Sequence, residues 1–215
     1  MQVQGQTGPQ VNPDGSAPNI RVGRLGELVC ADSLGKYYEL SRRNQLFMGA
    51  MQAGAALGTA LTATAVTLTL YNPLGSQVNL AILQCTIALT TLQTASTTVE
   101  SAFVYAASLG LSTGAGPTAT TPAKIYSGLL SVGTGTQGVG QLFTIATLGA
   151  TAPVVVRVHP FASSAPTQAS AAGGQAGIDY VEGALVLGPG VAVTIQGLGL
   201  AMTGIVSLAW AEIPN

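Results

Sequence analysis

The chain is short of charge. Only 7% of its 215 residues are Asp, Glu, Lys or Arg, against roughly 25% in an average soluble domain. Seven basic and eight acidic residues leave a net charge of −1. With no basic excess to displace counterions, binding to nucleic acid by bulk electrostatics is not expected, and charge-driven disorder is excluded as well. Cysteine is almost absent: Cys30 and Cys85 form no C-x-x-C pair and have no histidine nearby. They read as small core residues of a protein that folds in a reducing cytoplasm, with neither a disulfide nor a metal implied. Aromatic residues make up 5% of the chain, too few for the two interfacial girdles of an outer-membrane barrel. The opening Met1-Gln2-Val3-Gln4-Gly5-Gln6-Thr7 shows neither the basic nor the apolar region of a secretory signal. No charge falls between Arg43 and Glu100, and Gly54 and Gly58 make a G-x-x-x-G pair. Threonine nevertheless alternates with apolar residues from Leu46 to Tyr71, which is not the unbroken apolar run of a spanning helix. No membrane partner is expected.

Small residues take the place of charge. The sequence holds 32 Ala, 28 Gly, 24 Thr and 14 Ser. Its 47% hydrophobic share is therefore built largely from alanine. The few charges are unevenly placed. Asp14, Arg21, Arg24, Glu27, Asp32, Lys36, Glu39, Arg42 and Arg43 crowd the first 43 residues, leaving six for the remainder. This partition predicts two parts, an arm with a hairpin over 1–45 and a body over 46–215.

In the first part, Gly8 to Pro18 is rich in turn formers and lacks an apolar period, so it reads as an extended arm. Glu27–Ala31 and Lys36–Leu40, separated by Asp32-Ser33-Leu34-Gly35, predict a short β-hairpin. In the body, short β-type runs bounded by Gly, Pro and Asn recur at regular intervals. The runs are Leu61–Tyr71, Val78–Leu89, Thr98–Ala107, Ile125–Val132, Gln141–Leu148, Val154–His159, Ala184–Leu187, Val191–Gly197 and Thr203–Ile213. Within the first, Val66, Leu68 and Leu70 alternate with Thr67, Thr69 and Tyr71, the period of a strand. Nine such strands predict an all-β sandwich or barrel. Leu46–Ala60 is the sole helix candidate, weakened by three glycines. Ser112–Ala123 and Ala162–Gly177 read as loops.

Chemistry-bearing residues are few. Gly133-Thr134-Gly135-Thr136-Gln137-Gly138 matches G-x-G-x-x-G, but a strand follows where a nucleotide site needs a helix and a later acid. It reads as a flexible hairpin loop. His159, the single histidine, sits in Val158-His159-Pro160-Phe161 and reads as a strand-end residue beside a turn. Asp179 and Glu182 are the body's only closely spaced acids. A glycosidase could use such a pair, while the simpler reading is solvated loop acids. Trp210, on the last strand, reads as an anchor of the core or of an oligomer interface. No catalytic residue, cofactor or metal is expected. Arg21, Arg24, Lys36, Arg42 and Arg43, interleaved with acids, are candidates for a docking surface of mixed charge.

A body this poor in charge lacks the usual protection against association. Its surface is expected to be covered, by sister chains or by a permanent assembly. The segment Arg21-Val22-Gly23-Arg24-Leu25-Gly26-Glu27-Leu28-Val29 with Gly35-Lys36-Tyr37-Tyr38-Glu39 resembles the amino-terminal part of jelly-roll virion proteins of tailed bacteriophages. Tyr71-Asn72-Pro73-Leu74-Gly75-Ser76, Leu187-Gly188-Pro189-Gly190-Val191 and Trp210-Ala211-Glu212-Ile213-Pro214 extend the resemblance along the chain. The resemblance implies a jelly-roll β-sandwich and a decoration or cement protein of the head exterior, commonly trimeric. Such a protein is assembled in the host cytoplasm and docks on the major capsid protein. A receptor-binding spike or tail-fibre component is the alternative role.

Overall fold

The computed structural model describes residues 5–6, 20–21, 36–64, 66–91, 99–109, 116–130, 138–149, 152–165, 176–199 and 201–215. The chain divides into two compact units, Met1–Tyr38 and Glu39–Asn215. In the first, β1 (Gly5–Gln6) pairs in parallel with β2 (Ile20–Arg21). The Gly8–Pro18 arm, Arg24, Cys30 and the first predicted hairpin strand, Glu27–Ala31, lie outside the described residues. The second hairpin strand is corrected: Lys36 and Tyr37 form a turn, and Tyr38–Arg42 is a one-turn helix, α1. The aromatic pair gave this segment its β character, but the helix is closed locally. Asn44 adopts a left-handed φ of 55°, and its N–H and that of Gln45 donate to the Ser41 and Leu40 carbonyls at 3.0 and 2.9 Å.

Among the described residues the second unit holds twelve strands: β3 (Leu46–Ala50), β4 (Ala55–Ala56), β5 (Val66–Tyr71), β6 (Val78–Thr91), β7 (Val99–Ser108), β8 (Thr118–Pro122), β9 (Ile125–Ser127), β10 (Gln141–Thr147), β11 (Val154–Ala165), β12 (Ala176–Leu187), β13 (Ala192–Leu198) and β14 (Thr203–Pro214). Each of the nine predicted runs overlaps one, and β12 starts eight residues before its run at Ala184. The helix candidate over Leu46–Ala60 is instead β3 and β4. Gly49 faces inward there, so close to the Leu142 side chain and the Lys124 carbonyl that a Cβ has no room. Its glycine is thus a packing requirement of a strand. Part of the predicted Ser112–Ala123 loop is β8, an outermost strand where Pro122 need not donate a ladder hydrogen bond. The predicted Ala162–Gly177 loop is also shortened, because β11 runs to Ala165 and β12 starts at Ala176.

The strands form two antiparallel sheets that make a β-sandwich. The first has the order β11-β7-β13-β5-β10-β8, the second β12-β6-β14-β3-β9, with β4 beside β14. The pairing is nested: β3 pairs with β14, β5 with β13, β6 with β12 and β7 with β11, all antiparallel. The body is a ribbon folded back on itself, turning between β7 and β11. Strands β8, β9 and β10 lie within that turning connection and extend the far margins of both sheets.

Inward side chains of both sheets make the main core, including Phe47, Leu68, Leu70, Ile82, Phe103, Leu142, Ile195 and Trp210. Burying each such side chain contributes about 1.5–3 kcal/mol. A smaller cluster of Val66, Tyr71, Phe143, Ala146, Leu148 and Ala192 leaves β5 buried on both faces. The segment over 56–63 closes on this sheet. Thr67 Oγ1 donates to the Ala56 carbonyl at 2.6 Å, and the Gln196 amide exchanges hydrogen bonds with the Thr62 backbone at 2.9 Å.

Two of the motifs that carry the resemblance meet in space. Asn72 is fully buried, and its Nδ2 donates to the carbonyls of Val78 and Leu187 at 2.8 and 2.9 Å. Its backbone N–H donates to Val191 and its carbonyl accepts from Gly190. One side chain therefore joins the 72–76 turn to the 187–191 turn. Asn72→Ala is expected to cost about 1–3 kcal/mol by orphaning buried carbonyls, measured as a lower urea midpoint at unchanged slope.

Candidate functional site

The predicted docking residues are spread over both units. Arg21 lies in β2, and Lys36 sits 5.4 Å over the Tyr37 ring. Arg42 and Arg43 are exposed at the end of α1. Trp210 is fully buried in its own chain: its ring stacks on Phe47 at 6.3 Å, and its Nε1 donates to Glu212 at 3.3 Å. Of the two anchoring roles foreseen for it, burial leaves the core. Glu212 in turn accepts the backbone N–H groups of Val139 and Gly140 at 2.8 and 2.9 Å. It pins the β9–β10 connection to the last strand. Gly138, the last residue of the G-x-G-x-x-G string, packs so closely on this carboxylate that no Cβ fits.

The most organised polar cluster was not foreseen. Asp179, expected in a solvated loop, is buried within β12. Arg157 of β11 grips it with a two-pronged hydrogen bond, Nε to Oδ2 and Nη2 to Oδ1, both 2.9 Å. The buried Tyr105 hydroxyl of β7 donates to Oδ2, also at 2.9 Å. Arg157 and Tyr105 face each other across their strand pair, as Asp179 and Cys85 do across theirs. The clamp thus joins the outermost strands of the two sheets. Spacing could not show it, since Arg157 and Asp179 meet only because the nested pairing lays β11 beside β12.

His159 is also corrected. It is buried inside β11, at a break in register between Val158 and Ala162, and does not end the strand. Its Nδ1 accepts the Phe161 N–H at 3.0 Å, so the neutral ring carries its proton on Nε2. That nitrogen, turned toward the Cys85 backbone, makes no hydrogen bond of normal geometry. Electrostatics follow these contacts. The Arg157 guanidinium holds the Asp179 carboxyl below its usual range, against the opposing effect of burial. Burial lowers the His159 imidazole and pushes the Cys85 thiol up to about 12. A saturated, ionised Asp179 is a poor general acid. Its predicted companion Glu182 sits at a left-handed φ of 52°, where β12 breaks register with β6. The cluster is built to hold two sheet edges together.

The exterior is the second notable feature. Across the second sheet one outward rung runs Tyr180, Gln84, Ala209, Met48, Tyr126, and the next Ile178, Thr86, Ser207, Ala50. Every residue in both is uncharged. Met48, Tyr126, Gln84, Thr86, Ser207 and Ala209 border a shallow depression of about 420 Å³. Along the sandwich margin, Val154, Val155, Val156 and Val158 of β11 are exposed, as are Ile178, Tyr180 and Val186 of β12. Among the described residues no group of His, Cys, Asp and Glu could hold a metal ion, and no helix is long and apolar enough to cross a membrane.

Asp179→Ala is expected to cost about 1–3 kcal/mol, chiefly by stranding the Tyr105 hydroxyl, measured by urea unfolding. Asp179 and His159 both favour the deprotonated form in the fold, so the unfolded chain binds more protons in acid and stability falls as pH falls. In a thermal-melting series the decline is expected to begin below pH 6.5 through His159 and to deepen below about 4 through Asp179. His159→Gln should remove the first phase and keep the second. Comparison with known proteins found no matching family model, no matching curated protein and no matching solved structure.

Proposed function

We propose that the protein is a structural component of a tailed-phage virion, a jelly-roll decoration or cement protein on the outside of the head. In this reading it is no enzyme and needs no cofactor. Its copies associate as a trimer, and the charged residues at the front of the chain dock on the major capsid protein and brace neighbouring capsomers. The carrying observation is the sparsely charged exterior of the second unit, whose uncharged outward rungs and long margin present Tyr, Met, Val, Ala, Ser and Thr to the surroundings. A freely diffusing domain usually guards such strands with charge; a protein held in an assembly has no such need. The nested pairing of β3–β14, β5–β13, β6–β12 and β7–β11 also supports a jelly roll, which is a long hairpin rolled into two sheets.

Several weak arms acting together would give firm attachment through high effective concentration. Replacing Arg21, Arg24, Lys36, Arg42 and Arg43 by glutamine in the full chain is expected to abolish cosedimentation with capsid shells at moderate salt. The circular dichroism of the folded body should be unchanged. Undiminished binding would sink the docking role. The depression beside Tyr126 favours a second reading, a receptor-binding spike or tail component that takes an uncharged ligand. Labelled protein would then mark vertices or tails, and not the whole head, in negative-stain images.

A further inference from the structure

The four outermost strands of the sandwich are not alike. On one side, β8 has five residues and ends in Pro122, and β9 has three. Short strands and proline are standard ways of blunting an edge. On the other side, β11 and β12 have twelve residues each. Among the described residues each stands last in its sheet, with no strand on one side of its backbone ladder. The side chains there invite contact: Val154 and Val158 are each 60% exposed and Tyr180 61%. The margin's one cation, Arg157, is already neutralised by Asp179, and its exposed acid, Glu182, lies past Tyr180, where β12 breaks register with β6.

We infer that this margin is where copies of the chain meet, with Val154–Val158 of one copy lying along Ala176–Tyr180 of the next. The unfilled backbone ladder specifies an extended strand as the occupant, and the other long unfilled edge belongs to the same protein. The larger register breaks, after Val158 in β11 and after Tyr180 in β12, end the two segments, and a one-residue shift between Val155 and Arg157 lies within the first. The Arg157–Asp179 ion pair sets the two segments at the same level on one wall. Because they differ, the contact is head-to-tail, and repeating it closes a ring when its rotation is a whole fraction of a turn. The ring size rests on the trimer reading above: three walls face a common axis, each β11 beside a neighbour's β12. The Asp179 clamp then serves as a positioning device that fixes the spacing of the two edges.

Sedimentation equilibrium of the full-length protein is the first test. The wild type is expected to have three times the chain mass, and the double substitution Val156→Lys with Val158→Lys a single chain mass, with the same β-type circular dichroism. Met48→Lys, an exposed apolar site on the second sheet's face, should leave the trimer intact. In a Cys30→Ser background, Val158→Cys combined with Tyr180→Cys should oxidise to covalently linked trimers, and neither cysteine alone should cross-link. A monomeric wild type, an unchanged mass for the lysine pair, dissociation by Met48→Lys, or self-cross-linking of a single cysteine variant would each overturn the inference. Shell cosedimentation of the wild type separates the two ideas. Binding that persists while the lysine pair leaves the mass unchanged defeats the interface alone; a trimer that dissociates as expected yet never binds shells defeats the decoration role alone.

Discussion

Antiparallel pairing between the first and second halves of the body is the constraint on which the rest of the molecule depends. Each of β3, β5, β6 and β7 finds its partner among β14, β13, β12 and β11, so no half could satisfy its backbone hydrogen bonds alone. The core follows from this pairing. Phe47 near the start and Trp210 near the end stack only because β3 and β14 are neighbours. Such a topology is rich in contacts between residues distant in sequence, and loop closure must precede their reward, which places it among slowly folding architectures.

A scaffold with so few strong charges uses its buried polar groups sparingly and at junctions. Asn72 joins two turns, Glu212 holds the approach to β10, and Asp179 ties β11 to β12. Each connects segments that the nested pairing has already brought near, and each accepts or donates several hydrogen bonds at once. Buried polar groups that make several such bonds specify one arrangement of the chain over its alternatives. Asp179 also brings a charge into the margin, where an unpaired carboxylate would be costly; the guanidinium fork removes that cost.

The surface shows the same economy. Charge is one way to keep a strand edge from pairing, and brevity and proline are others. The protein uses brevity and proline on the β8–β9 side and leaves β11 and β12 long, with exposed Val, Ile and Tyr side chains. In the proposed assembly that asymmetry, more than any single residue, is what ties the fold to association, because a margin without protection suits a molecule whose neighbours cover it. The uncharged rungs of the second sheet extend the same character across a face.

The fold class was readable in the chain because a period of two survives in each run, as in Val66, Leu68 and Leu70 against Thr67, Thr69 and Tyr71. The burial of Trp210 and Cys85 followed from residue type. Local chemistry misled where packing overrode it: Gly49 marks a crowded strand, Thr118–Pro122 pairs at an edge despite its loop-like composition, and Lys36–Leu40 leads into a one-turn helix that Asn44 closes. Alternation along a strand says which side is buried but not which strand lies next to it. The sequence by itself therefore determined that this chain makes half-buried strands with scarcely any charge to guard them. Only the tertiary structure decided that Arg157, Asp179 and Tyr105 form one clamp, that Asn72 reaches Leu187, and that the unguarded strands share one margin, because those facts depend on pairings between residues far apart along the backbone.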